Sequence, residues 1–517
     1  MYSVVTSGAI CGIDSYMVSV EVDTAQGLPG FDMVGFLSSE VKEARERVKV
    51  ALKNVGVSFP PQKITVNLSP ANIRKEGSAF DFPIAIGILI SMGHIPEEAC
   101  KETLVIGELG LDGEVRRVNG ILPIVMEAKA QGYLRCLVPL KNAKEGAVIQ
   151  GIEILGVDTL KRGIEYLSSP IQFRSEIISQ TSILLEDNYP DDLKEELDFS
   201  DITGQETAKR AVEVAAAGFH NIMLIGPPGS GKTMIAKRIP SILPPLSREE
   251  SLEVSKIYSV AGMLCEAESI IVKRPFLDPH HTISEAALSG GGRIPRPGVM
   301  SLAHRGVLFL DELPEFKRST LELMRQPMED KKIHIARSYG TFTYPANFIM
   351  VAAMNPCKCG FYPDLAKCNC KPYEIQRYLN HISGPILDRI DIGIEAARIT
   401  IQDLSRREKG ESSLLIRARI MEARKRQLQR FKGTNIKSNA EIPANKIHNY
   451  CKLGTDEQDL LETVFISMNL SARAYHKIIK VARTIADLEG KERIDCNHLA
   501  EAICYRNMDG KYWGTNK

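Results

Sequence analysis

The chain has no excess charge of either sign, no long apolar run, no internal repeat and no low-complexity tract. Each absence excludes something. Its 65 Lys and Arg against 64 Asp and Glu leave a net charge of +1, so any contact with nucleic acid must come from local patches rather than a global field. The apolar stretch from Ile84 to Met92 is too short and too interrupted to span a bilayer. The start, Met1-Tyr-Ser-Val-Val, lacks the basic region and extended apolar core of a secretory signal, which points to a cytoplasmic protein. In that reducing setting most of the eleven cysteines act as small hydrophobes, as expected for Cys11, Cys100, Cys136 and Cys265. What remains is ordinary for soluble globular proteins: 517 residues, 44% apolar and 25% charged, enough for about three or four domains.

The expected architecture is α/β and multidomain. Residues 1–170 alternate short strands and helices. Ser3 to Val22 is rich in β-branched residues, with turns expected at Gly8 and Gly12. Ser39 to Val55 has helical periodicity and ends at Gly56, a suitable C′ glycine. Strands are expected at Ile64–Leu68, Leu104–Ile106, Cys136–Val138 and Ile152–Leu155, and helices at Phe82–Met92 and Leu122–Ala130. Residues 171–200 read as an acidic linker. A Thr203-Gly-Gln-Glu206 capping box is expected to open a helix to about Ala217. The nucleotide-binding core spans residues 201–400. From 401 to 517 the chain is helical, over Leu414–Phe431, Thr455–Met468, Ala472–Asp487 and Cys496–Tyr505.

The chemistry starts at Asn221-Ile-Met-Leu-Ile-Gly226-Pro227-Pro228-Gly229-Ser230-Gly231-Lys232-Thr233. An apolar strand enters a glycine-rich turn that ends in Lys-Thr at a helix mouth, the G-x-x-x-x-G-K-[ST] pattern. The glycines let backbone N–H groups curl around phosphate oxygens, and the helix N-terminus adds partial positive charge. Lys232 reaches the β- and γ-phosphates and the Thr233 hydroxyl binds Mg²⁺. The pattern implies a nucleoside triphosphate ligand. Gly306-Val-Leu-Phe-Leu-Asp311-Glu312 is an apolar strand delivering two acids, Asp311 to hold Mg²⁺ and Glu312 to polarise the attacking water. Phe348-Ile-Met-Val-Ala-Ala-Met-Asn355 is another apolar strand, ending in an amide.

In this order the motifs resemble those of an AAA+ ATPase. Over its whole length the chain resembles the ComM/YifB group of magnesium-chelatase-like AAA+ ATPases. The resemblance rests on Gly204-Gln-Glu-Thr-Ala-Lys-Arg-Ala, the P-loop, Pro279-His280-His281-Thr, Pro295-Arg-Pro-Gly298, Leu308-Phe-Leu-Asp-Glu-Leu-Pro-Glu-Phe316, Met354-Asn-Pro-Cys, Gly384-Pro-Ile-Leu-Asp-Arg-Ile-Asp391 and Leu470-Ser-Ala-Arg-Ala-Tyr-His476. It implies a Lon-protease-like N-terminal domain, an AAA+ core and a helical C-terminal lid. It also implies a homo-oligomeric ring, usually a hexamer, and a branch-migration helicase role on single-stranded or branched DNA. By the same resemblance Asn355 is a first sensor, Arg389 an arginine finger entering the neighbouring subunit's site, and Arg473 a second sensor. The alternatives are a salt bridge from Arg389 to Asp388 or Asp391, and a plain surface role for Arg473. A chelatase-like motor on a metallation partner, or a protein remodeller, remains the rival. The D-x-S-x-S metal motif of the chelatase partner is absent from this chain.

The N-terminal segment departs from the protease pattern. Arg74-Lys-Glu-Gly77-Ser78-Ala79-Phe-Asp81 puts Ala79 at the nucleophile position, and Val118-Asn-Gly-Ile-Leu-Pro-Ile124 has no Lys base. Without a base Ser78 is a weak nucleophile, so the segment reads as an assembly or recognition module. Cys357-Lys-Cys359 and Cys368-Asn-Cys370 supply four thiols within fourteen residues, either a Zn²⁺ site or unligated thiols. His280-His281 read as pore or nucleotide-sensing groups or as structural ones; neighbouring residues on regular elements point apart, which disfavours joint chelation. Lys331 to Tyr344 alternates like a β-hairpin with a Tyr-Gly turn, where Lys332, Arg337 and Tyr339 are candidate DNA contacts or an exposed structural feature. Arg417, Arg419, Arg424, Lys425, Arg426, Arg430 and Lys432 read as a solvated helix face rather than phosphate contacts, with Ile416, Ile420, Leu428 and Phe431 as the packing stripe.

Overall fold

The computed structural model describes residues 1–58, 62–182, 197–265, 269–292, 295–337, 340–398 and 410–513. Tyr339 and residues 183–196 of the acidic segment lie outside the described residues. Among the described residues no helix is long and apolar enough to cross a membrane.

The chain opens as a β-hairpin, β1 (Tyr2–Cys11) and β2 (Asp14–Ala25), turning at Gly12 with φ +67°. Gly8 is not a turn. It sits inside β1, where a Cβ would lie 2.5 Å from the Ile124 side chain, so its role is close approach. The hairpin is followed by β3 (Gly30–Val34), α1 (Ser39–Asn54), β4 (Lys63–Ser69), α2 (Asp81–Ser91), β5 (Thr103–Val105) and α3 (Ile121–Ala130). Then come β6 (Arg135–Pro139), α4 (Leu140–Ala147), β7 (Glu153–Val157) and α5 (Leu160–Ser168). The seven strands form one mixed sheet in the order β3-β4-β2-β1-β5-β6-β7. Helix α1 is capped by the Ser38 hydroxyl at one end and released by Gly56 (φ +89°) at the other. Helix α2 has no polar face because all eleven of its residues are buried. Its buried Asp81 accepts from Arg47 at 2.6 and 2.9 Å. Removing Arg47 would strand that carboxylate at a cost of about 3–5 kcal/mol.

The second sheet is built from β8 (Ile222–Ile225), β9 (Phe276–Leu277), β10 (Val307–Leu310), β13 (Ile349–Met354) and β14 (Ile392–Glu395), ordered β9-β10-β13-β8-β14 and parallel throughout. The antiparallel hairpin β11 (Lys332–Arg337) and β12 (Gly340–Pro345) stands outside it. Helices α6 (Glu206–Gly218), α7 (Lys232–Ile242) and α8 (Arg248–Ala261) belong to this unit. Strands β8, β10 and β13 are buried at every position, which is why each reads as an unbroken apolar run rather than an alternation. The expected capping box at Thr203 is not formed. Helix α6 starts at Glu206 behind Gln205, whose φ is +61° and whose side-chain amide instead donates to the Ser230 carbonyl at 3.1 Å.

The C-terminal part is helical: α9 (Ser413–Arg430), α10 (Thr455–Ser467), α11 (Ala472–Leu488) and α12 (Cys496–Cys504). The basic run on α9 is not a solvated face. Arg417 donates to the Ser241 carbonyl, Arg419 pairs with Glu213 and Glu411, Arg426 donates to the Asp487 carbonyl and Arg430 pairs with the Asp487 carboxylate. Burial pushes Arg424 down to about 10, the Arg274 charge adding to that shift and the Glu250 charge opposing it. Lys425 and Lys432 are the members that stay exposed. Ile416, Ile420 and Phe431 are buried as expected, but Leu428 is exposed. Arg419 and Arg430 neutralise carboxylates contributed by other elements, and Arg417 and Arg426 cap distant carbonyls, pairings that sequence distance conceals.

Helix α8 joins the two sheets. The Gly120 N–H donates to the Ser259 carbonyl at 3.0 Å, Lys256 pairs with Asp14 at 2.6 Å, and Leu252 packs against the N-terminal apolar cluster.

Candidate active site

Strands β8, β10 and β13 are neighbours, so the loops leaving their carboxyl ends lie side by side, the place where open parallel sheets hold ligands. The loop after β8 is Gly226 to Gly231. Gly229 and Gly231 have φ of +74° and +81°, a left-handed conformation that glycine adopts without strain. Lys232 opens α7 and is only 8% exposed. Its ammonium donates to the Gly226 and Pro227 carbonyls at 2.8 and 3.0 Å and to Asn355 Oδ1 at 3.2 Å. Burial lowers its pKa, and the Asp311 charge works against that shift. The Thr233 hydroxyl donates to Asp311 Oδ2 at 2.8 Å. A hydroxyl and a carboxylate in contact are hard oxygen ligands suited to Mg²⁺, and the lysine beside them suits phosphate oxygens. The residues fit both groups.

Glu312 follows Asp311 with φ +53°, a left-handed conformation that costs a non-glycine residue about 1–3 kcal/mol. That turn leaves its carboxylate 59% exposed while its N–H donates to Asp311 Oδ1 at 3.0 Å. His281 Nδ1 lies 3.6 Å from Glu312 Oε2. The His280 and His281 rings are 4.1 Å apart and tilted by 34°, so this pair stacks instead of pointing apart. The Asp278-Pro279 segment before them is not regular strand, and the alternation rule fails there.

Three contributors escaped the sequence reading. Gln205 touches the P-loop through Ser230. Asn221, just before β8, accepts from Met350 N–H of β13 at 2.9 Å and donates to the Arg389 carbonyl at 3.0 Å, tying the start of β8 to β13 and to the segment that carries Arg389. Helix α8 begins with Ser247-Arg-Glu-Glu250, a formed capping box that was legible as a start signal.

Three family models match the chain. Magnesium chelatase, subunit ChlI, covers residues 198–404, subunit ChlI of Mg-chelatase covers 20–142, and the magnesium chelatase subunit ChlI C-terminal model covers 410–506. The uncharacterized protein YifB of Escherichia coli K12 is 42% identical over 512 residues, covering 98% of this chain and 97% of that protein. Competence protein ComM of Haemophilus influenzae is 39% identical over 509 residues, covering 98% and 97%. This chain belongs to the ComM/YifB magnesium-chelatase-like family. Membership makes it a protein of the magnesium-chelatase-like AAA+ type, with ATP and Mg²⁺ as the ligands that type uses.

Against that family background, the two arginines stand together and apart from the P-loop. Arg389 pairs with Glu329 and donates to the Arg325 and Pro385 carbonyls at 2.9 and 2.7 Å. Arg473 reaches the other oxygen of Glu329 at 3.5 Å and is 59% exposed. The salt bridge from Arg389 to Asp388 or Asp391 is not the arrangement found. Asp391 takes Lys477 at 2.8 Å and the Asn221 N–H at 2.9 Å.

In the N-terminal unit, among the described residues, Ser78 and Lys75 have separate partners. Ser78 donates to Glu108, and the buried Lys75 ammonium donates to the Pro70 and Ile73 carbonyls. On the hairpin, Ile333, Ile335 and Tyr344 are buried while Lys332 is exposed. Arg337 donates to the Gly292 and Ala336 carbonyls at 3.2 and 2.9 Å. The hairpin is therefore half packed, and its Phe342 ring lies beside Gly12 of the first hairpin. Cys357, Cys359, Cys368 and Cys370 come together, with all four sulfurs within 4.8 Å of one another.

Proposed function

We propose that this chain is a Mg–ATP-dependent ring ATPase, a hexamer, that drives branch migration on single-stranded or branched DNA. The observation that carries the ATPase reading is the joint contact of Lys232 with Asn355 and of Thr233 with Asp311. Lys232 and the P-loop N–H groups hold the phosphates. Thr233 and Asp311 hold Mg²⁺, which neutralises charge developing on the transferred phosphoryl group. Glu312, turned outward by its left-handed backbone, polarises the water, and Asn355 orients it. Arg389, held by Glu329, serves a neighbouring subunit's site, and Arg473 senses nucleotide from α11. The C-terminal helices act as a lid, and the N-terminal unit is a Lon-like module for assembly or recognition.

The DNA part draws on similarity to a protein named for competence and on exposed Lys332 and Arg337 at the two ends of one hairpin strand. A second reading has its own support, since all three family models carry the name of a magnesium chelatase subunit. In it the motor acts on a protein partner, either a metallation enzyme or a remodelling substrate. Steady-state ATPase activity with and without single-stranded DNA and a four-way junction separates the two. Stimulation of several-fold is expected. Indifference to both DNAs would move the reading to a protein partner.

A further inference from the structure

We propose that Cys357, Cys359, Cys368 and Cys370 form a closed tetrathiolate Zn²⁺ site that braces the nucleotide pocket from the side of Asn355. The sulfurs lie 3.3 Å apart between Cys357 and Cys359, 3.5 Å between Cys359 and Cys368 and 3.8 Å between Cys357 and Cys368. Four sulfurs at about 2.3 Å from one zinc ion in a tetrahedron are separated by about 3.8 Å. A disulfide brings two sulfurs to about 2.05 Å and leaves the pairs apart, which this cluster does not do. Thiolate ligands select zinc over the hard cations that suit Thr233 and Asp311. The two metal sites of the chain are thus chemically distinct.

The surroundings have the features of a ligand knuckle. Gly360, at φ +83°, turns the chain sharply after Cys359, and the Tyr362 N–H lies 3.4 Å from Cys357 Sγ. Backbone N–H groups aimed at sulfur stabilise thiolate charge and orient the ligand. Lys358, Lys367 and Lys371 flank the cysteines and offset the net negative charge of a zinc ion with four thiolates.

The site also has a structural task. Residues 355–371 connect β13 to the helix Pro372–Leu379 without helix or strand. A connection of that length is uncommon in a compact domain unless something closes it. A metal cross-link between its two ends does so, at a loop-closure cost that the ligand bonds exceed. Its first ligand lies two residues after Asn355, which touches Lys232. A Cβ at Gly360 would lie 2.3 Å from Pro228 Cδ, so the knuckle backbone abuts the P-loop itself. Loss of the metal would free both Asn355 and Pro228.

The test uses the full-length chain purified without chelators from zinc-supplemented culture. Elemental analysis is expected to find about one zinc per chain, falling below a tenth in a Cys368→Ser, Cys370→Ser double variant. Cobalt exchanged into the wild-type protein should give the intense thiolate charge-transfer and tetrahedral ligand-field bands of a four-sulfur site. That spectrum does not depend on whether the variant folds. Wild-type protein holding under a tenth of an equivalent, with no such bands, would overturn the site. The bracing part is read by binding of a fluorescent ATP analogue, expected to weaken about tenfold in zinc-depleted wild-type protein. Unchanged affinity after depletion would overturn the bracing. Metal content and the cobalt spectrum involve neither DNA nor hydrolysis, so they stand or fall separately from the motor reading.

Discussion

Lys232 illustrates how a single side chain is held by several loops. It emerges from the P-loop, is covered to 8% exposure, and shares its protons among two backbone carbonyls and Asn355. Replacing it with Ala removes the only formal cation within the loop from Gly226 to Thr233. Binding of a fluorescent ATP analogue by Lys232→Ala is expected to fall by two orders of magnitude or more. Glu312 presents the opposite case, since it makes few contacts that binding would miss. Glu312→Gln is expected to keep wild-type affinity for ATP while turnover drops about 10²–10⁴-fold, the usual worth of a positioned general base. Single-turnover hydrolysis measured beside equilibrium binding checks both halves. Normal turnover by Glu312→Gln would mean that another group activates the water.

At the scale of elements, the hairpin and helix α8 make separate predictions. The hairpin buries Ile333, Ile335 and Tyr344 and leaves Lys332 outside, so its charge is removable without opening its core. A Lys332→Ala, Arg337→Ala double variant is expected to melt within about two degrees of wild type, as surface substitutions do. It should lose at least tenfold in salt-sensitive DNA binding, measured by fluorescence anisotropy. Retained DNA binding would shift the contact surface away from the hairpin. On α8, Glu253 faces His304, Arg305 and Lys437, linking the helix to the C-terminal part. Burial works to raise the Glu253 pKa, but the His304 hydrogen bond and the Arg305 charge prevail and hold it down at about 2. A depressed carboxylate contributes stability that is present above its unfolded value, near 4.5, and is lost as pH falls toward 2. Glu253→Gln should therefore melt below wild type at pH 7, with the gap narrowing as pH falls from 4.5 toward 2. A gap that does not depend on pH would show that the charge of Glu253 is not what matters.

At the scale of the whole molecule, the ring reading makes a prediction about the two arginines on Glu329. Within one chain Arg389 and Arg473 meet on Glu329. In the proposed ring, that cluster lies at the border with the next subunit. Lys232→Ala and Arg389→Ala proteins should then each be inactive alone and recover part of the activity when mixed, because mixed rings contain some sites with both residues. Mixing at varied ratios, with ATPase activity as readout, decides it. No recovery in freely exchanging mixtures would put Arg389 to work within its own subunit.

The sequence by itself determined the elements that depend on local patterns. Buried parallel strands announce themselves as apolar runs, and the motif residues after them, from Gly226 to Thr233, Asp311, Glu312 and Asn355, sit at fixed offsets from the strand ends. The helices of the C-terminal part were legible within a residue or two at each end because their periodicity is strong. Tertiary structure alone decided the pairings between distant segments. The α9 arginines look like a solvated face until Glu213, Asp487 and Ser241 are brought to them from other elements. Gly8 looks like a turn until Ile124 is packed over it. The Thr203 capping box does not form, because the helix starts behind a left-handed Gln205 whose amide is bonded to the P-loop. The two C-x-C arms become one cluster only through the path of the chain between them. Local conformation follows from neighbours in sequence, whereas the partners of charges, close contacts and metal ligands follow from the path of the whole backbone.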